Sequence, residues 1–174
     1  EQPRYISRLE AIKALGSLQA RQSRVKIVDA LSNGDDDLRL AAAEALTLMA
    51  EPGDEADFHK FLNKERKSLA VKEALLNGVI KIGTRETEKT IRFHISKPEP
   101  ELRRLAIKGL LNLKPSLKDL EKYLNFKRRN DREIDIRFTV WEALLSAGSQ
   151  QLNRQFKSAA QWLKSTQLEQ LAQD

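Results

Sequence analysis

The residues in this sequence best suited to chemistry are cations at helical spacing. Lys60, Lys64 and Lys67 form one row, Arg85, Lys89 and Arg92 a second, Lys118, Lys122 and Arg129 a third, and Arg154, Lys157 and Lys164 a fourth. Steps of three, four or seven residues bring side chains to one face of a helix, so each row reads as a positive edge opposite an apolar stripe. The run Lys127-Arg128-Arg129 is the densest point. Such a surface suits an anionic partner, whether nucleic-acid phosphates, an acidic protein segment or lipid headgroups. Lysines on solvated faces also keep a protein soluble, and this reading stands beside the functional one. Aromatic residues interleaved with cations can stack bases, but most of the aromatics here fall on apolar stripes. Trp162 lies beside the Phe156, Ala159, Leu163 stripe and reads as a partner contact or a cap on the core. The candidate partner-binding residues are therefore Lys60, Lys64, Lys118, Lys122, Arg128, Arg129, Arg154, Lys157, Lys164 and Trp162.

Catalytic patterns are thin. His59 and His94 sit in Phe-His-Lys and Phe-His-Ile contexts, with no second histidine at i+3 or i+4 and no adjacent glutamate, so metal-hydrolase spacing is missing. The sequence contains no cysteine, which removes thiolate zinc sites, iron–sulfur clusters, disulfides and cysteine nucleophiles. No glycine-rich phosphate loop and no Gly-x-Ser-x-Gly elbow occurs. The expectation is a protein that is not an enzyme, with no catalytic residues, no metal and no cofactor.

Charge is uneven along the chain. Lys plus Arg number 31 against 25 Asp plus Glu, a net +6; residues 1–87 balance 14 against 14, and residues 88–174 carry 17 against 11. With 40% hydrophobic and 32% charged residues, and only 7 Gly and 5 Pro in 174, collagen-like and disordered classes are excluded, and one domain spanning 1–174 can bury a core. No run reaches the roughly 18 apolar residues that span a bilayer, since Arg39 and Glu44 interrupt the richest stretch, 38–50. A start at Glu1 rather than methionine reads as a fragment or a processed product and leaves the compartment undetermined, the cytoplasm slightly favoured.

The elements that must position these residues come from a repeat. A pattern of Arg, then Ala or Val three residues on, a charge, a small residue and Leu recurs five times: Arg8 to Leu15, Arg39 to Leu46, Ser68 to Leu75, Arg103 to Leu110 and Arg137 to Leu144. Its small residues and leucine share one helical face, which lets a neighbouring helix approach closely. Each copy is an amphipathic A helix. Asp35 to Asp37 and Pro100 supply start signals for the second and fourth copies. Between them lie B helices with stripes such as Val25, Val28, Leu31; Phe58, Phe61, Leu62; Leu117, Leu120, Leu124; and Leu152, Phe156, Ala159, Leu163. The third B segment alternates Ile91, Phe93 and Ile95 with Arg92 and His94; it is read as helical because an isolated strand would have no pairing partner. Breakers at Gly34, Pro52-Gly53, Gly83, Pro98, Pro115 and Gly148 divide the elements. The repeats run over about 4–34, 35–66, 67–98, 99–130 and 131–165.

The repeated Arg-x-x-Ala-x-x-Ala-Leu helix followed by a second helix resembles the HEAT repeat, in the short bacterial form also seen in phycobilisome-lyase-type proteins. The resemblance covers nearly the whole chain and implies an all-α fold, an α-α superhelix (HEAT-like solenoid) of about five helical hairpins, with A helices outside and B helices lining the inner surface. In the family the arginine pairs with a nearby acid, and Asp37 and Asp135 stand two residues before Arg39 and Arg137. Ser68 departs from the pattern and interrupts an arginine ladder. The HEAT-like deoxyhypusine hydroxylases carry His-Glu steps, and no His-Glu dipeptide exists here. The function expected is a non-catalytic protein-protein scaffold or adaptor that binds through the inner B-helix surface, with a protein partner that is acidic in character. The alternative is a nucleic-acid-binding module on a basic concave surface, like the HEAT-like DNA glycosylases.

Overall fold

The computed structural model describes residues 2–150 and 154. Among the described residues every regular element is helical, which agrees with the all-α reading. The α-helices are α1 (Gln2–Ser17), α2 (Arg24–Asn33), α3 (Asp36–Leu48), α4 (Glu55–Lys64), α5 (Leu69–Ile82), α6 (Thr87–His94), α7 (Pro100–Asn112), α8 (Leu117–Asn130) and α9 (Ile134–Ser146), with a 3₁₀ turn at Arg21–Ser23. No described helix is long and apolar enough to cross a membrane. The chain divides into two compact units, 1–114 and 115–174.

In the first unit α1, α3, α5 and α7 pack one against the next, while α2 lies on α3, α4 on α5, and α6 on α5 and α7. Small residues permit this. A Cβ added at Gly16 would fall 2.6 Å from the Ala45 Cα, and one at Gly109 would fall 2.5 Å from the Ile80 side chain. Ala41, Ala42, Ala43 and Ala45 are all buried in α3. Side chains tie the row further: Thr47 Oγ1 donates to the Ala74 carbonyl at 2.7 Å, and Lys81 Nζ to the Thr47 carbonyl at 3.2 Å.

Helix starts fix the register of the repeat. Asp35 caps α3 by accepting from the Leu38 amide, Ser68 caps α5 by accepting from Val71, and Glu99 and Glu133 occupy the same position before α7 and α9. Four residues beyond each cap stands a cation: Arg39, Lys72, Arg103 and Arg137. Ser68 is therefore a cap and not a substituted arginine; Lys72, one turn later, continues the series. The expected partner Asp37 is also corrected. Residues two apart point about 200° from one another around a helix, and Arg39 instead pairs with Asp36 at 3.0 Å and with Glu65 of the next turn.

The B helices show their core faces. On α2 the buried residues are Ile27, Ala30 and Leu31, whereas Val25 is 81% exposed, so the stripe lies two positions from the expected start. The third B segment is the helix α6, whose buried face is Thr87, Thr90, Ile91 and His94. In the second unit α8 packs on α9, with Leu120 and Leu124 buried in the first and Ile136, Val140 and Leu144 in the second. Ser149 Oγ donates to Glu121 at 2.8 Å and closes that hairpin. The fifth B stripe, from Leu152 to Leu163, lies outside the described residues.

Gly78 reports how tight the hairpins are: a Cβ there would sit 2.1 Å from Cε1 of the fully buried Phe58. Overpacking costs about 1–3 kcal/mol and the gain in helix propensity returns about 1 kcal/mol. An overlap as close as 2.1 Å belongs to the upper part of that range, about 2–3 kcal/mol, so Gly78→Ala is expected to lower stability by about 1–2 kcal/mol in urea unfolding, with partial recovery when Phe58→Leu is added. A Gly78→Ala protein as stable as the parent would contradict this packing.

Candidate functional site

Two of the short turns from a B helix to the following A helix hold a buried acid, Glu65 before α5 and Asp131 before α9, and Glu99 before α7 is partly buried. Glu65, between α4 and α5, accepts from the amides of Lys67 at 2.7 Å and Ser68 at 3.0 Å and from the Arg39 guanidinium of the preceding A helix. The side chains of Arg39 and Glu65 are only 11% and 4% exposed. Burial alone would raise the Glu65 carboxyl, but the Ser68 amide, Arg39 and the Lys67 amide together hold it below the usual carboxylate range. One repeat later Lys72 Nζ of α5 lies 2.9 Å from Glu99, chiefly through which the Glu99 carboxyl is also held low. Arg103 of α7 donates to the carbonyls of Lys97 and Pro98 at 3.1 and 2.7 Å.

Between successive turns lie two clefts. The first, about 700 Å³, has the Arg39–Glu65 pair and the apolar groups of Leu31, Phe61 and Leu75 within it. One wall is the α2–α3 turn with Asp35 and Asp36; the other is the end of α4 and its turn, with Lys64, Arg66 and Lys67. The second cleft, about 290 Å³, holds the Lys72–Glu99 pair with Leu62, Leu102 and Phe93, and Lys97 on its rim. Arg66 lines both. Phe93 is 55% exposed and Lys97 Nζ lies 3.9 Å from its ring centroid, a cation–π contact that leaves both groups at the surface.

The cations differ in how they are occupied. Asp35 spends its carboxylate on the Leu38 amide, and Asp36 on Arg39. On the outward side of the B helices, Arg24 pairs with Asp54 and Asp57 at 3.3 and 2.9 Å, and Arg92 with Glu88 at 3.1 Å. Among the described residues no ion pair joins Lys64, Arg66, Lys67 or Lys97 to an acid.

Of the sequence candidates, Lys60 and Lys64 are exposed on α4 in the first unit. Lys118 and Lys122 are exposed on α8 in the second, Lys122 5.6 Å from the Tyr123 ring. Arg128 and Arg129 belong to α8, but their side chains are outside the described set. Arg154 is exposed and donates to the Gln150 carbonyl at 3.4 Å. Lys157, Trp162 and Lys164 lie outside the described residues. Among the described candidates only Lys64 lines one of the two clefts; Arg66, Lys97 and Phe93, which line them as well, were not among the candidates. Their signal was a cation two residues before the helix cap in consecutive repeats, Arg66 before Ser68 and Lys97 before Glu99, with an acid close by in each turn.

Both histidines are engaged within the fold. His59 Nε2 lies 2.9 Å from the Asn63 amide and its Nδ1 3.1 Å from Thr90 Oγ1. His94 is buried, with Nδ1 donating to the Thr90 carbonyl at 2.8 Å. Among the described residues no three His, Asp or Glu side chains are grouped to hold a metal ion. The chain matches no protein-family model, and no curated protein matches it significantly.

Glu65→Ala leaves the nearly buried Arg39 with the exposed Asp36 alone and takes the acceptor from the Lys67 and Ser68 amides, and is expected to cost about 2–3 kcal/mol. Arg39→Met leaves Glu65 its two amide donors and is expected to cost less; chemical denaturation of the two variants checks the order. His94 adds a pH dependence. Burial is the main cause that lowers its pKa below 6.5, aided by Lys97 and Lys72 and opposed by the Thr90 carbonyl and Glu99. The unfolded chain therefore takes a proton before the folded one, so stability is full above 6.5 and declines as the pH falls toward the folded value. His94→Gln should flatten the stability profile below pH 6.5, read by urea midpoints.

Proposed function

We propose that this chain is a non-catalytic protein-interaction scaffold of the HEAT-like kind, which takes part of a partner polypeptide in the clefts between its B-to-A turns. The observation that carries the reading is the repetition of one cleft in consecutive repeats, each with an apolar interior, an internally neutralised ion pair and a cationic rim. Protein contacts draw their energy from apolar anchors in pockets and their orientation from charges around them. Phe61 and Phe93 with the leucines beneath them supply the first, and Lys64, Arg66, Lys67 and Lys97 the second.

In the first unit the outward B-helix faces fit this role less well. Arg24 and Arg92 are paired with acids of the next or the same repeat, and Asp29, Asp57 and Glu86 lie exposed among the lysines. A polyanion meets a field of mixed sign there.

Selection of a displayed library of random peptides of about a dozen residues tests the reading. Binders are expected whose affinity falls about tenfold or more in Phe61→Ala with Lys64→Glu, and holds in Lys118→Glu with Lys122→Glu. A library that yields no binder overturns the reading, as does binding that ignores the cleft variants and follows the α8 lysines.

A further inference from the structure

We propose that the occupant of the two clefts is an acidic, extended segment of a partner protein, with apolar side chains in the clefts and carboxylates on the rim cations; this rests on the cleft reading above. Three observations lead to it. First, the neutral and charged parts of each cleft are separated by depth. Arg39 and Lys72 have acids of their own, so the cations left to attract a ligand are those on the turns, Lys64, Arg66, Lys67 and Lys97.

Second, the walls of the larger cleft differ in sign. Asp35 and Asp36 stand opposite Lys64, Arg66 and Lys67. A nucleic-acid strand carries a charge at every step and would bring phosphates against the acidic wall as well as the basic one. A peptide can set its carboxylates on one side only and turn backbone amides toward the aspartates. The apolar interior also asks for aliphatic or aromatic side chains, which a phosphate backbone lacks. The groove between α4 and α6, about 270 Å³, has Glu55 and Glu86 beside Lys89 and offers no such separation.

Third, the clefts are one repeat apart and share Arg66. Packed helices lie about 8–10 Å from one another. An extended polyproline-type segment rises about 3.1 Å per residue with three residues per turn, so side chains three apart share a face at about 9 Å. Apolar residues at i and i+3 therefore match consecutive clefts, and acidic residues between and beside them reach Arg66 and its neighbours.

Fluorescence anisotropy with defined probes tests this. Three synthetic peptides keep the same leucine and phenylalanine residues three apart and fill the remaining positions with Glu and Asp, with Gln, or with Lys; a thymidine oligonucleotide is the fourth probe. The acidic peptide is expected to bind tightest, to weaken steadily with log salt, and to lose about tenfold or more in Lys64→Gln/Arg66→Gln/Lys67→Gln. Circular dichroism and the melting midpoint of that variant report whether it is folded, and Lys97→Gln alone supplies a second, milder variant. Equal binding of acidic and Gln peptides, both weakened by Phe61→Ala, overturns the acidic partner and leaves the cleft reading standing. Tightest binding of the Lys peptide does the same. Binding of the oligonucleotide alone, or of no peptide, overturns both.

Discussion

The spacing of the A helices is set at a few points where no larger atom fits. Gly16 lies over Ala45 and Gly109 over Ile80, each so closely that a methyl group would overlap the neighbour. Because α1, α3, α5 and α7 come this near, the turns at their N-terminal ends are stacked within reach of one another. Arg39 can then cross to Glu65, and Lys72 to Glu99. A wider row would leave the buried Glu65 without its cation, at a cost of several kcal/mol, and the partly exposed Glu99 without its own at a smaller cost. Close packing and the cross-repeat ion pairs are thus one constraint expressed twice, first in volume and then in charge.

The ion pairs do not by themselves explain stability, since desolvation of two charges offsets much of their attraction. Their effect is on uniqueness. Glu65 takes two amides of its own turn besides Arg39, so it fixes the path of residues 65–68 and with it the start of α5 at Ser68. Asp131 acts alike in the second unit: it is buried, accepts from the Glu133 amide at 3.1 Å and lies 3.6 Å from Lys127. These two turns are held by an acid that points inward, and in the first of them this leaves Arg66 and Lys67 without a structural task.

How much of this was legible in the sequence follows from which forces dominate locally. The helical class, the A helices and most of their boundaries could be read, because Ala, Gly and Leu at fixed steps mark a close-packed face, and Asp35 and Pro100 mark starts. The third repeat was set one turn early because Val71, Glu73, Ala74 and Leu75 imitate the pattern, and a shift of four residues keeps the same helix face. Only the cap reveals the register, since Ser68 stands where Asp35 and Glu99 stand. The helix α6 looked like alternation because its core face is carried by Thr87, Thr90 and His94 beside Ile91, and polar residues give no hydropathy signal when a backbone carbonyl or a neighbouring side chain satisfies them. The basic rows were visible as charges, but sequence spacing could not tell which cations the fold itself consumes. Arg24 and Arg92 are taken by acids, whereas Arg66 and Lys97 sit in turns where no helical period points to them.

That division separates the residues that build the repeat from those that can distinguish a partner. The small residues and the leucines hold each hairpin in the stack, and the Arg39–Glu65 and Lys72–Glu99 pairs tie the middle repeats, so these residues change only at a cost to the stack. Phe61, Lys64, Arg66, Phe93 and Lys97 are not needed in that sense. Two of the five are aromatic groups left partly open to water beside a cation, which is an unfavourable use of apolar surface unless something covers it. In a fold whose interior is largely dictated by spacing, recognition falls to the turn residues, and these turns carry an apolar group and a positive charge at the same place twice in succession. A partner that engages one cleft is thereby brought to the second at high effective concentration, so two shallow contacts, each weak alone, add to a specific one.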